Sequence, residues 1–291
     1  MRIGTRGSAL ALAQAGSVAQ RLGAEAEIVT ITTVGDRGAA IGDKSRWVSE
    51  LEGALLDGRI DIAVHSAKDV PTQLPEGLEL VAIPERADPS DAICGARSLA
   101  ELPAGATVGT SSLRRTAQIR AVRGDLEVVS VRGNVDTRLR KLDEGQFDAI
   151  VLALAGLERL GRADEAGGVL SELVPAAGQG ALLIEARVGA VSAELLAGVS
   201  DPEATACVTA ERELVGALDA SCNTPVGAHA RRLGSGELDL IAWVGLPDGS
   251  AWIRDRQTGD AAGLGGALAQ RLLSAGAGEL LRRAEREASV V

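Results

Sequence analysis

Strand and helix signals alternate through the first part of the chain, and then the alternation starts again. "RIGT" reads as a strand, and an Ala/Leu-rich helix follows from about Ser8 to Leu22. "AEIVTITT" is strand-like by its β-branched content. "VGDRGAAIGDKSR" has no apolar period and reads as a long loop. From Trp47 to Leu56, Val48, Leu51 and Leu55 fall on one helical face. "DIAVHS" and "LELVAIPE" are short apolar strands. This order predicts a parallel-type α/β sheet. The stretch from Pro84 to Gly109, with its Pro and Gly, marks a boundary. A second set follows: "ATVGTSS", a helix from Leu113 to Val122, "LEVVSVRGN", a helix from Val135 to Leu142, and "DAIVLALAGLERLG" as a strand running into a helix.

The last third is built differently. After "VPAAGQG", the strand "ALLIEAR" and a short helix, a strong helix is expected from Pro202 to Leu218, with Asp201 as its cap and Pro202 in its first turn. "VGAHARRL", "LDLIAWVGL" and "SAWIRDRQTG" read as three antiparallel strands, and one helix from Ala262 to Glu287 closes the chain. That predicts a small α+β unit. With 291 residues, two or three domains are expected. One Phe, three Trp and no Tyr leave Ala, Val, Leu and Ile to build the cores.

Charge and cysteine usage narrow the function. The net charge of −10 argues against nucleic acid and acidic membrane as partners. Between Gly105 and Arg162, however, ten Lys/Arg face seven Asp/Glu, a local cationic bias suited to a small anionic ligand. Three cysteines (Cys94, Cys207, Cys222) without CxxC spacing, and two His, indicate neither a disulfide framework nor a metal site. The N-terminal apolar run carries Arg6 and lacks a signal-peptide core, and no run approaches transmembrane length. A soluble, cytoplasmic protein is expected.

Three stretches carry chemistry. "HSAKDVP" puts Lys68 and Asp69 at the carboxyl end of a strand, where open α/β sheets bind ligands. A carboxylate beside a cation there can stay ionised and still exchange protons. A Lys–Asp pair capping a turn has the same pattern. "GTSSLRRTAQIR" ends a strand in Thr110, Ser111 and Ser112 and starts a helix with Arg114 and Arg115, an arrangement suited to anions. "SVRGNVDTRL" repeats the design with Arg132 and Arg138, and "GLERLG" adds Arg159. The third stretch, "LDASCNTPVGAHA", places Cys222 in a turn. Neither His65 nor His229 stands at a spacing that shows a catalytic dyad, so an inert thiol, a nucleophile and an anchor for a covalent group remain open.

Six segments, in order, resemble the porphobilinogen deaminase (hydroxymethylbilane synthase) family: "RIGTRGSALALAQA", "DIAVHSAKDVPTQLPEGL", "VGTSSLRR", "SVRGNVDTRLRKLDEGQFDAIVLALAGLERLG", "PAAGQGAL" and "ASCNTPVGAHA". The resemblance implies an enzyme of tetrapyrrole (heme) biosynthesis. It would condense four porphobilinogens head to tail, with loss of ammonia, onto a dipyrromethane held by a thioether to Cys222, and release hydroxymethylbilane by hydrolysis. It implies Asp69 as the catalytic carboxylate, assisting ammonia loss and stabilising the cationic azafulvene. Lys68, Ser111, Ser112, Arg114, Arg115, Arg132 and Arg138 would hold the cofactor. Arg6, Ser8, Trp47, Arg159 and Gln179 would meet substrate, with Thr110 as a further donor and no metal.

The implied fold is two α/β domains like type II periplasmic binding proteins plus a smaller C-terminal α+β domain. Residues 1–86 and 181–200 would form the first, 87–180 the second and 201–291 the third, in a monomer with hinged domains. Two departures stand out. "IGDKSRW" replaces a Gly-rich segment common in the family, and Trp47 would then stack on a pyrrole in place of Phe. Cys94 and Cys207 match no family site and read as buried small residues. A non-enzymatic dicarboxylate-binding protein, a regulator's effector domain and an inactive paralogue are the competing readings. Neither of the first two accounts for Cys222, Asp69 and the arginines together, and an inactive paralogue would not be expected to keep all of them.

Overall fold

Ser8 starts the first helix as its sequence position requires, its hydroxyl accepting from the Ala11 N–H. Gly23, at φ 92°, ends that helix in a conformation that a side chain would strain. The computed structural model describes residues 1–23, 26–32, 48–220 and 224–288. In chain order the first elements are β1 (Arg2–Thr5), α1 (Ala9–Leu22), β2 (Glu27–Thr30), α2 (Ser49–Leu56), β3 (Ile62–Ser66) and β4 (Leu78–Ala82). Next come β5 (Asp91–Cys94), β6 (Thr107–Gly109), α3 (Leu113–Val122), β7 (Glu127–Val129), α4 (Val135–Asp143), β8 (Ala149–Ala153), α5 (Leu154–Arg159) and β9 (Gly168–Val169). The chain continues through β10 (Leu182–Arg187), α6 (Ala193–Ala197), α7 (Pro202–Ala217), β11 (Val226–Arg232), β12 (Leu238–Gly245), β13 (Trp252–Gly259), α8 (Leu264–Ser274) and α9 (Ala277–Ala288).

These strands form two five-stranded sheets, ordered β2-β1-β3-β10-β4 and β7-β6-β8-β5-β9, and a three-stranded sheet β11-β12-β13. The third sheet is antiparallel, as expected, and α7, α8 and α9 pack on it around Leu214, Leu240, Leu268 and Leu281. Two α/β units and a smaller C-terminal α+β unit are therefore what the chain builds.

Three expectations need correction. The α/β sheets are mixed, not parallel throughout: β10 runs antiparallel to both β3 and β4, and β5 antiparallel to β8 and β9. Each of these strands enters its sheet straight after the chain crosses from the other unit, so no right-handed βαβ return sets its direction. The boundary stretch also hides β5, whose four residues are all buried. Finally, the single helix expected from Ala262 to Glu287 breaks into α8 and α9 at Gly276, whose φ of 103° no helix can continue through.

The cores confirm what an aromatic-poor composition demands. The largest fully buried side chains are Ile and Leu, among them Ile3, Leu51, Ile93, Ile119 and Leu170. Burying each contributes roughly 1.5–3 kcal/mol. Val48, Leu51 and Leu55 are all buried, as the helical spacing predicts. Trp243 instead packs between units, against Ala117 and Val174, and ties the C-terminal sheet to the second α/β unit.

Candidate active site

The first α/β unit contributes Arg6 and Ser8 after β1, and Lys68 and Asp69 after β3. Helix α1 is held to the end of β3 by Gln14 Nε2, which donates to Ser66 Oγ at 2.8 Å. The strand then turns through one short 3-10 helix, Ala67–Asp69, and Val70 is buried behind it. Lys68 Nζ donates to Gln179 Oε1 at 3.2 Å. Lys68 and Asp69 thus leave a buried strand on a short, fixed turn.

The second unit brings the guanidiniums. Ser111 Oγ donates to the Val131 carbonyl at 2.9 Å, which joins the loops after β6 and β7. Ser112 caps α3, accepting from the Arg115 N–H. Arg114 and Arg115 follow, expected as clamps for ligand carboxylates, and both are nearly buried against a carboxylate of the protein itself. Arg114 pairs with Asp91 at 2.6 Å and Arg115 at 2.7 Å. Their other donors reach the Val174 and Val151 carbonyls at 2.8 and 2.9 Å. Gln179 Nε2 completes the cluster, donating to Asp91 Oδ1 at 2.8 Å. Burial works against the Asp91 charge, but Arg114 and Arg115 outweigh it and hold the carboxyl well below the usual carboxylate range.

Arg132, Arg138 and Arg159 are placed otherwise. Arg132 is exposed in the loop after β7. Asn134 caps α4, and Arg138 in its first turns donates through Nε to the Gly133 carbonyl at 2.8 Å. Burial lowers the Arg138 pKa, repulsion from Arg115 lowers it further, and Asp69 opposes both. The acid of the first unit and a guanidinium of the second therefore feel each other across the gap. Arg159 Nη2 donates to the Gly180 carbonyl at 2.6 Å, and burial lowers its pKa too.

That gap is one cavity of about 1920 Å³. Arg6, Ser8, Lys68 and Asp69 line it from one side, and Ser111, Ser112, Arg132 and Arg138 from the other. Arg114, Arg115, Arg159 and Gln179 reach it as well. Ala220 and Thr224, which flank residues 221–223, are in its wall. Cys222 and Trp47 lie outside the described residues. A cavity of this size, with serine and cationic donors on facing walls, fits a polycarboxylate such as a substituted oligopyrrole.

Three further charged residues, unremarked in the sequence, organise the site. Asp91 starts a buried strand and would have passed for a turn residue after Pro89 and Ser90. Glu211 is fully buried on α7. It pairs with Arg86 at 2.6 Å and accepts from the Gly178 and Ala230 N–H groups at 2.6 and 2.7 Å. Burial opposes the Glu211 charge, yet Arg86 and His229 lower its pKa overall. It thus fastens both crossover segments to the C-terminal unit. Its signal was a Glu on the apolar stripe Ala204, Cys207, Val208 and Leu214. Arg212, beside it, bonds the loop after Asp69.

The two described cysteines have structural settings. Cys94 and Cys207 are buried, as expected, and burial pushes both thiols up to about 11. Among the described residues no cluster of three or more His, Cys, Asp and Glu is placed to hold a metal ion, and no helix is long and apolar enough to cross a membrane.

Comparison with known proteins bears directly on this site. Residues 1–194 match the family model described as "Porphobilinogen deaminase, dipyromethane cofactor binding domain", and residues 205–274 match "Porphobilinogen deaminase, C-terminal domain". The porphobilinogen deaminase of Thiobacillus denitrificans is 49% identical, over 97% of this chain and 97% of its own. That of Roseiflexus castenholzii is 48% identical, over 97% and 98%. Among solved structures, substrate binding domain 2 of Lactococcus lactis GlnP, in its open conformation, aligns with a TM-score of 0.40 at 11% identity, over 68% of this chain and 84% of that one. Two family models along the length, near-half identity end to end, and a cavity built for a polycarboxylate lead to one conclusion: the chain belongs to the porphobilinogen deaminase family, with a dipyrromethane cofactor, and works in tetrapyrrole biosynthesis.

Proposed function

We propose that the chain condenses four porphobilinogens head to tail, with Asp69 as the reacting carboxylate and Cys222 as the thioether anchor of the primer. The observation that carries this reading is the shared cavity. Asp69 and the guanidiniums of the second unit line it from opposite sides, and the residues flanking Cys222 complete its wall. The dipyrromethane, when bound, supplies the pyrrole carbon that is extended.

The rest is done by this chain's own side chains. Each porphobilinogen brings an acetate, a propionate and an aminomethyl group. Arg132, Arg138, Arg159, Arg6 and Lys68 take the carboxylates, with Ser8, Ser111 and Ser112 as hydroxyl donors. Arg114 and Arg115 meet the cofactor's carboxylates from a frame set by Asp91, and Gln179 ties that frame to Lys68. Trp47 stacks on a pyrrole. Asp69 stabilises the cation left on the substrate when the C–N bond breaks and ammonia departs. After the new C–C bond forms, the same carboxylate accepts the proton lost from the ring carbon. A water then releases hydroxymethylbilane.

We further propose that residues 1–86 with 181–200, 87–180 and 201–291 act as three bodies hinged at the crossovers, in a cytoplasmic monomer. One acid can serve successive additions only if the bodies shift between rounds.

Intact mass spectrometry tests the anchor. The wild type should exceed its sequence mass by one dipyrromethane, and Cys222→Ser should not. A wild type that stays at sequence mass even after incubation with porphobilinogen would rule the reading out.

A further inference from the structure

Helix α7 carries a second charged residue beside Glu211, and its bonding is unusual. Arg212 donates to three successive backbone carbonyls: Nη1 to Val70 at 2.9 Å, and Nη2 to Pro71 at 2.6 Å and to Thr72 at 3.4 Å. These carbonyls belong to the loop that begins directly after Asp69. Within that loop, the Val70 N–H turns back to the Ala67 carbonyl at 3.3 Å, and Pro71 has no N–H to offer. The apolar side of the loop is already fixed, since Val70 is buried with Ala67, Ala204 and Val208. Arg212 fixes the polar side.

The guanidinium is costly where it sits. Burial lowers the Arg212 pKa, and the field that supports its charge comes from Glu185. Among the described residues no carboxylate pairs with it directly. A Leu or Met would pack the same face of α7 without desolvating a charge. What only Arg supplies is a planar fork that bridges several carbonyls at once. Arg212 also lines the cavity, as does Ala220, three residues beyond the end of α7 at Ala217.

We propose that Arg212 is a positioning residue for the reaction. By clamping the carbonyls of Val70, Pro71 and Thr72 it fixes where the Asp69 carboxylate stands in the cavity. This rests on the reading of Asp69 as the reacting carboxylate. Loosening the clamp misplaces that acid while leaving Arg6, Arg132, Arg138 and Arg159, which sit on other elements, as they were; Lys68, on the same turn, is held separately by Gln179. The rate constant should therefore suffer and substrate affinity should not.

The test compares wild type, Arg212→Met and Arg212→Lys by kcat and KM for porphobilinogen, intact mass and thermal midpoint. R212M should keep the cofactor mass and a KM within about threefold of wild type, with kcat down about ten- to hundredfold. R212K should recover part of kcat, because an ammonium reaches one carbonyl but cannot bridge three. R212M with wild-type kcat overturns the proposal, as does a kcat loss matched by an equal loss of cofactor mass, which would make Arg212 a folding or loading residue. If R212M does not fold, R212K decides: lowered kcat at unchanged KM and midpoint supports the clamp, and wild-type kcat overturns it. A wild type with neither adduct nor turnover sinks the functional reading, and this inference with it.

Discussion

In each five-stranded sheet an antiparallel strand arrives from across the crossover and lies beside a strand that leads into the site. That strand is β10 in the first sheet and β5 in the second. Each carries one fully buried carboxylate, Glu185 and Asp91 respectively. Their surroundings differ. Asp91 meets two guanidiniums and the Gln179 amide. Glu185 has His65 Nε2 at 3.1 Å and the like-charged Glu52 nearby, whose pKa is raised by burial first and by Glu185 second. The same threading thus serves two purposes. In the second unit the buried acid anchors cations that reach the cavity. In the first unit the acid that reaches the cavity is Asp69, beyond the strand end, and Glu185 stays behind it.

The largest effect should come from Asp69, the proposed reacting carboxylate. Asp69→Asn is expected to lower kcat about 10²- to 10⁴-fold with little change in thermal midpoint. Steady-state kinetics beside a melting curve measures both, and near-normal turnover would remove the functional asymmetry between the units.

Asp91→Asn should act the opposite way, on stability first. It leaves Arg114 and Arg115 buried against a neutral group, a loss of about 3–5 kcal/mol. Urea unfolding reads it. The pH dependence has a definite sign. Because the folded Asp91 carboxyl sits well below its unfolded value, its contribution is full above the ordinary carboxylate range and fades only as pH falls towards the folded value. The difference between wild type and D91N should therefore stay constant from neutral pH down to about pH 5 and shrink in stronger acid.

Glu185→Gln is the smaller counterpart. Among the described residues the Glu185 carboxylate makes no hydrogen bond to lose, and no guanidinium is paired with it. A cost below about 2 kcal/mol is expected. A loss as large as that of D91N would mean that the two buried acids are equivalent, and the comparison would fail.

Much of the local structure was legible before any coordinates. The cap at Asp201 and the helix start at Ser8 were read because a side-chain oxygen satisfies the first turn of its own helix, which depends only on neighbours; Ser112 and Asn134 cap in the same way. The break at Gly276 and the strand β5 were not read. An Ala- and Leu-rich run continues smoothly across the glycine, and four residues are too few to show a period. For the site, the motif-bearing residues were named, but Asp91, Glu211 and Arg212 were not. Asp91 bonds residues 23, 24 and 88 positions away, and Arg212 grips a loop 140 or more positions earlier.

From its sequence alone this protein had its alternating elements, the Asp201 cap, its Ala/Val/Leu/Ile cores and the ordered motifs of its family. All of these are properties of residues near one another along the chain, or of the order of segments. Tertiary structure decided which cavity charges are braced by a buried carboxylate and which are not. Arg114 and Arg115 are joined to Asp91, whereas Arg132 stands in an exposed loop at the cavity wall. A guanidinium looks the same in sequence in either setting. Its role is set by which carboxylate the fold brings within hydrogen-bonding distance, and by how much water the surrounding packing removes.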